Sequence, residues 1–161
     1  MSRDFREKFV DLQNVEGTSF SLKVQGKKIV STNGCFDILH VGHVRYLNEA
    51  KALGDILWIG VNSDISVRNI KGPTRPLHSE LARAEILAAL ECIDYVTIFS
   101  ENTPEEFLKK LKPNTHVKGG DYSGIEIPEK KVVETLGGTV KFLKFTQGYS
   151  TTRILESLPN K

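Results

Sequence analysis

"STNGCFDILHVGHVRYLNEAKALGD", from Ser31 to Asp55, decides how the rest of the chain is read. A short apolar strand leads into it, and a glycine-cysteine turn interrupts it. Two histidines three positions apart then stand where a helix begins. Two readings compete. H-x-x-H can offer two imidazoles on one helical face to a metal. Alternatively, His40, His43 and the free N–H groups of a helix N-terminus face an anion.

The metal reading is the weaker one. A catalytic zinc needs a third protein ligand, and the metalloprotease pattern needs a glutamate beside the first histidine. Here Val41 and Gly42 separate the pair, so no metal ligand is assigned. A magnesium ion held by substrate phosphates and water fits the inventory better.

Outward from this stretch, strands and helices alternate. Lys28–Thr32 reads as a strand and His43–Leu53 as a helix. "DILWIGVN" (Asp55–Asn62) is the near-continuous apolar run of a parallel strand covered on both faces. Ser63–Ile70 and Glu80–Leu90 read as helices, and Tyr95–Phe99 as a strand. Thr103-Pro104-Glu105-Glu106 reads as a capping box with proline at the first helical position, opening a helix to Leu111. Thr115–Lys118 is a strand, Pro128–Leu136 a helix and Thr139–Leu143 the last strand. Ser150–Leu158 closes as a helix. The expected fold is α/β: a single-domain, doubly wound, Rossmann-like parallel sheet of about five strands. Residues 1–26 read as a lead-in, a short helix around Phe5, Phe9 and Leu12 followed by irregular chain broken up by Gly17 and Gly26. Residues 27–161 form the domain.

In such sheets ligands bind beyond the carboxyl ends of the strands. "NGCFDILHVGH" follows the first strand, "KGGDY" (Lys118–Tyr122) the fourth and "TQGYSTTR" (Thr146–Arg153) the fifth, while "KGPTRP" (Lys71–Pro76) lies after the helix beyond the second. Gly34, Gly42, Gly72, Gly119, Gly120 and Gly148 let backbone approach a ligand closely. Lys71, Arg75, Lys118 and Arg153 supply positive charge, and Ser150, Thr151 and Thr152 supply donors at another helix start. This is a phosphate-binding inventory without a nucleophile–base pair. Phosphoryl and nucleotidyl transfer can run on positioning and charge stabilisation alone, most simply when the acceptor is itself an ionised phosphate.

Bulk composition agrees. The 161 residues carry 22 basic and 20 acidic groups, a net charge of +2, and no basic run that would mark a nucleic-acid partner. No apolar stretch approaches the ~18 residues of a membrane span. Cys35 and Cys92 have no metal-ligand spacing, which suits a reducing cytoplasm.

"HVGH" resembles the H-x-G-H signature of the nucleotidyltransferase, cytidylyltransferase-like superfamily. "GYSTTRI", about a hundred residues further on, resembles its second signature. Within it, "TNGCFDILHVGHVRYL", "VNSD", "KGPTRP", "RAEILAALECIDYV", "VKGGDY" and "QGYSTT" resemble the adenylyltransferase domain of ADP-heptose synthesis. The resemblance implies transfer of AMP from ATP, with Mg²⁺, to D-glycero-β-D-manno-heptose 1-phosphate, giving ADP-heptose and pyrophosphate. It also implies a cytoplasmic homodimer serving lipopolysaccharide assembly. By motif, His40, His43 and Lys71 would be catalytic. Gly34, Cys35, Phe36, Gly42, Lys118, Gly119, Asp121, Phe145, Gly148, Tyr149, Ser150, Thr151 and Thr152 would bind the nucleotide, with Phe145 stacking on the base. Asp37, Arg75 and Arg83 would contact the sugar phosphate. The rival readings are a cytidylyltransferase acting on a polyol phosphate such as glycerol 3-phosphate, and a nucleotide-binding module without catalysis.

Simpler roles stand beside these. Cys35 can be a small buried filler, Asp37 a brace for its turn, and Arg83 a surface residue of an amphipathic helix. His78, His116 and Trp58 read as structural.

Overall fold

Five strands form one all-parallel sheet in the order β3-β2-β1-β4-β5. They are β1 (Ile29–Gly34), β2 (Ile56–Asn62), β3 (Tyr95–Phe99), β4 (Thr115–Gly119) and β5 (Thr139–Leu143). The computed structural model describes residues 4–120, 126–144 and 147–158. The helices among them are α1 (Val15–Val24), α2 (Val41–Lys51), α3 (Asp64–Lys71), α4 (Glu80–Ala88), α5 (Glu105–Leu111), α6 (Pro128–Thr135) and α7 (Thr151–Glu156).

Strand alternation divides the core in two. Val30, Leu57, Ile59 and Val61 pack on one face with Leu47, Ala50, Ala84, Leu87 and Ala88 of α2 and α4. Ile29, Trp58 and Phe99 pack on the other with Val15 and Leu22 of α1, Phe107, Leu108 and Leu111 of α5, and Val133 of α6. Burying a Leu, Ile or Phe side chain stabilises by ~1.5–3 kcal/mol, so β2, buried on both faces, is apolar until its last residue, Asn62, whose amide donates to Ser66 Oγ. Trp58 lies wholly in this core and donates to Thr97 Oγ1 at 2.9 Å. At Gly60 a side chain would come within 2.9 Å of the Phe107 ring, which stacks on Phe99.

Two local readings are corrected. Residues Val15–Val24 are a full helix rather than irregular chain. Gly17 costs that helix ~1 kcal/mol, but Val15, Ser19 and Leu22 are buried and Ser19 donates to Leu111 O, so tertiary packing overrides propensity. At α5, Pro104 itself caps the helix and no side-chain capping bond forms. Thr103 Oγ1 instead approaches Glu105 Oε2 at 3.5 Å. Elsewhere serines cap α3, α4 and α7. Ser63, Ser79 and Ser150 each accept the N–H three residues on.

The order places β1 between β2 and β4, where the direction of winding reverses. The crevice at the carboxyl ends of β1 and β4 is therefore where such a sheet receives a ligand.

Candidate active site

Leaving β1, the chain turns through Cys35 and Phe36. Phe36 has a left-handed backbone, φ 47°, unusual for a residue with a Cβ. Its ring folds back over Gly34, where a Cβ would stand 3.0 Å from it. The loop ends at His40, the N-cap of α2.

The His40 and His43 rings lie 3.9 Å apart between centroids, and Phe36 sits 5.5 Å from His43. His43 Nδ1 accepts the His40 backbone N–H at 3.3 Å. That nitrogen carries no proton, so a neutral His43 presents its N–H from Nε2. Burial, then repulsion from His40, pushes the His43 pKa down to about 4. Burial also lowers that of His40, whose Nδ1 is enclosed and makes no hydrogen bond among the described residues. At neutral pH the pair offers N–H donors beside a helix N-terminus, with little fixed charge of its own.

The second signature docks onto the first. Thr151 Oγ1 donates to Ile38 O at 3.3 Å, and the Arg45 guanidinium lies 6.0 Å from the Tyr149 ring centroid. A Cβ at Gly42 would stand 3.3 Å from Tyr149 Cβ and 2.9 Å from His40 Nδ1. The glycine of H-x-G-H is therefore the point where both signatures touch. Gly148, at φ 92°, makes the turn that brings Tyr149 there. Ser150 caps α7, and Thr152 is exposed on its first turn.

The residues expected to hold the acceptor lie alongside. The Asp37 carboxylate is buried and accepts Arg75 Nε at 2.6 Å, Leu77 N at 2.8 Å and His78 N at 3.0 Å. Burial raises its pKa, but these donors outweigh burial and hold it below the usual carboxylate value. Asp37 thus braces the turn. The terminal amino groups of Arg75 have no partner among the described residues and remain able to meet a phosphate. Lys71, exposed at the end of α3, is close enough to influence the Cys35 thiol. That thiol is pushed up chiefly by burial, so it is a poor thiolate and behaves as a filler.

Three expectations fare differently. Lys118, read as nucleotide-binding, is paired with Glu129 Oε1 at 2.8 Å and lies 3.4 Å from Asn33 Oδ1. Gly119 ends β4, and Gly120 follows at φ 122°. Glu129 and Asn33 were not singled out from the sequence. Only the register of β1 beside β4 under α6 joins them. Arg83 is not a surface residue, for its side chain has no exposed area. Asp121 and Phe145 lie outside the described residues.

His116 is structural, as read. It is fully buried, Nδ1 lies 2.8 Å from Ser31 Oγ, and burial followed by the Lys118 charge pushes its pKa down to about 3. His40, His43 and His116 are therefore neutral in the fold at pH values where an unfolded histidine, titrating near 6.5, is charged. The unfolded chain binds more protons there, so stability is expected to fall as pH drops from 6.5 toward 4. The Asp37 contribution has the depressed-carboxylate sign and disappears only below about pH 3.8. Thermal melts from pH 8 to 4 should show this fall, and His43→Asn or His116→Asn should flatten it. A wild-type melting temperature independent of pH would contradict the neutral-histidine assignment.

Comparison with known proteins follows the same outline. The cytidylyltransferase-like family model matches residues 31–157. "Bifunctional protein HldE" of Geobacter metallireducens is 52% identical over 155 residues, covering 96% of this chain and 32% of that protein. Its namesake in Citrifermentans bemidjiense is 55% identical over 134 residues, 83% of this chain and 28% of the other. The chain thus spans about a third of the length of these curated relatives. A lipopolysaccharide core biosynthesis protein from Thermoplasma volcanium superposes with a TM-score of 0.64 at 32% identity, over 78% of this chain and all of that one. A pantoate-beta-alanine ligase from Francisella tularensis, 13% identical, shares the fold with a TM-score of 0.69 over 93% of this chain and 73% of its own. The matched span runs from β1 into α7 and includes both docked signatures. With His40 and His43 at the start of α2 and Tyr149 against Gly42, this chain belongs to the cytidylyltransferase-like family.

Proposed function

We propose that this chain is an adenylyltransferase that moves AMP from MgATP to D-glycero-β-D-manno-heptose 1-phosphate, releasing pyrophosphate and ADP-heptose. The observation that carries the reading is the contact of the two signatures at Gly42 and Tyr149, which gathers both helix starts at one crevice. The relatives named for HldE and for lipopolysaccharide core biosynthesis support the choice of acceptor, as does the motif resemblance.

An anionic oxygen of the sugar 1-phosphate attacks the α-phosphorus in line. The new O–Pα bond forms as the bond from Pα to the α,β-bridging oxygen breaks, and pyrophosphate leaves with those electrons. The acceptor oxygen is already ionised near neutral pH, so no general base is needed. His40 and His43 donate to the α- and β-phosphate oxygens as charge builds on them. Lys71 and the start of α7, with Ser150, Thr151 and Thr152, hold the remaining phosphate charge. Backbone groups of Gly34, Cys35, Phe36 and Gly42 line the nucleotide, and Gly119, Gly148 and Tyr149 border it. Asp121 and Phe145 belong to the same nucleotide set by motif. Arg75 receives the acceptor phosphate.

The described residues hold no cluster of three His, Cys, Asp or Glu side chains, and Asp37 is committed to its own donors. This suits an ion that arrives with the triphosphate and keeps its waters. The same reading carries a homodimer and a cytoplasmic setting. The latter agrees with the described helices, none of which is long and apolar enough to cross a membrane.

Pyrophosphate release, with ATP and CTP each crossed against heptose 1-phosphate, glycerol 3-phosphate and no acceptor, tests the proposal. Turnover is expected only with ATP and the heptose. Turnover with CTP and glycerol 3-phosphate would transfer the mechanism to another substrate pair. ATP binding without pyrophosphate release in any mixture would leave a nucleotide-binding module.

A further inference from the structure

We propose that Arg83 is a positioning residue, which grips the Cys35 carbonyl and thereby turns the Phe36 N–H toward the triphosphate. The inference rests on reading the β1–α2 loop as the triphosphate site.

Arg83 lies on the first turns of α4 and its guanidinium is fully enclosed. Nη1 donates to Cys35 O at 2.5 Å, Nη2 to Asp64 Oδ1 at 2.9 Å and Nε to His78 O at 3.0 Å. One side chain therefore ties the β1 loop, the start of α3 and the approach to α4 together. It has no surface left for a substrate, which argues against the direct contact expected from motif.

The grip has a directional consequence. A trans peptide is planar, and its C=O and N–H point opposite ways. Once the Cys35 carbonyl is drawn toward Arg83 on the α4 side, the Phe36 N–H must face away from it. No described group accepts that N–H. Phe36 is also the residue with φ 47°, so an unfavourable backbone state and an unspent donor occur at the same peptide. Such a state persists only when its surroundings enforce it. Two anchors do so here, Arg83 on the residue before Phe36 and the Asp37 carboxylate on the residue after it. The His43 ring lies 5.5 Å from the Phe36 ring, so the loop and the start of α2 border the same crevice. A donor held at that loop adds to those of His40 and His43, and it is oriented before the ligand arrives.

Arg83 also makes an ion pair with Asp64, so a purely structural role has to be separated from the directional one. Asp64→Asn weakens the ion pair and leaves the Cys35 carbonyl bond in place. Arg83→Met and Arg83→Lys remove or misplace the carbonyl bond. The experiment follows the Phe36 amide and the His43 ring by NMR during ATP titration, with ATP Kd and melting temperature measured on each protein. In the wild type both signals should shift. In Arg83→Met the Phe36 shift should vanish and Kd rise about tenfold or more, with the His43 response retained. Arg83→Lys should lie between, and it serves alone if Arg83→Met does not fold. Asp64→Asn should keep the Phe36 shift and a Kd within about twofold of wild type, whatever its melting temperature.

Equal effects of Asp64→Asn and Arg83→Met on Kd would overturn the proposal in favour of a structural ion pair. A wild-type Phe36 amide that ignores ATP while His43 responds would also overturn it, leaving the site reading intact. Silence of both signals with ATP bound would overturn the site reading as well.

Discussion

His40→Ala or His43→Ala is expected to lower turnover by ~10²–10³ while hardly moving the melting temperature. The reason is the asymmetry between what the rings pack against and what they present. Both are only partly buried at a helix start, and their pKa values are depressed, so each presents a neutral N–H donor. Donors aimed at phosphate oxygens gain most when charge rises in the transition state, so the loss should fall on kcat more than on the KM for ATP. Steady-state kinetics beside thermal melts decides it. A matched loss of activity and folded protein would assign the rings to structure instead.

Gly42→Ala is the second large effect. On helix propensity alone the change should stabilise α2 by ~0.5–1 kcal/mol. The new methyl, however, would stand 2.9 Å from His40 Cε1 and Nδ1 and 3.3 Å from Tyr149 Cβ. Either His40 rotates away from its place beside His43 or the segment bearing Tyr149 moves off α2. Misplacement of this kind is expected to lower kcat/KM by about tenfold to a hundredfold. The melting temperature should change little, since overpacking and helix propensity act in opposite directions. A variant with full activity and a raised melting temperature would mean that the two signatures do not need this contact.

The fold was legible because its signals are periodic and local. β2 reads as a buried strand from its composition alone, and Ser63, Ser79 and Ser150 cap the helices that follow them. α1 was not legible. Its intrinsic preference is diluted by Gly17, and it is held by burial of Val15 and Leu22 against residues such as Phe107 and Leu111, far away in sequence. The Thr103 motif misleads for the opposite reason, since it is a good local pattern that the final geometry of Pro104 does not use.

The site divides along the same line. His40, His43, Gly42 and the Ser150–Thr152 donors could be singled out from residue types at the expected sheet edge, and the pairing of the two signatures from their resemblance to the superfamily's motifs. Their meeting at Gly42 could not, since it depends on where α7 lands after the whole sheet has formed. Asp37, Arg75 and Arg83 show the contrast most clearly. From the sequence each is a polar residue near the substrate loops, equally suited to binding or bracing. Burial separates the roles: a carboxylate with three donors and a guanidinium with three acceptors, both closed to solvent, spend most of their hydrogen-bonding capacity within the protein. The sequence alone therefore determined the parallel sheet and which loops and polar residues follow its strands, because periodicity and residue type are local properties. Only the tertiary structure decided which charged side chains stay open at the crevice and which hold its loop, because that depends on which of them water can still reach.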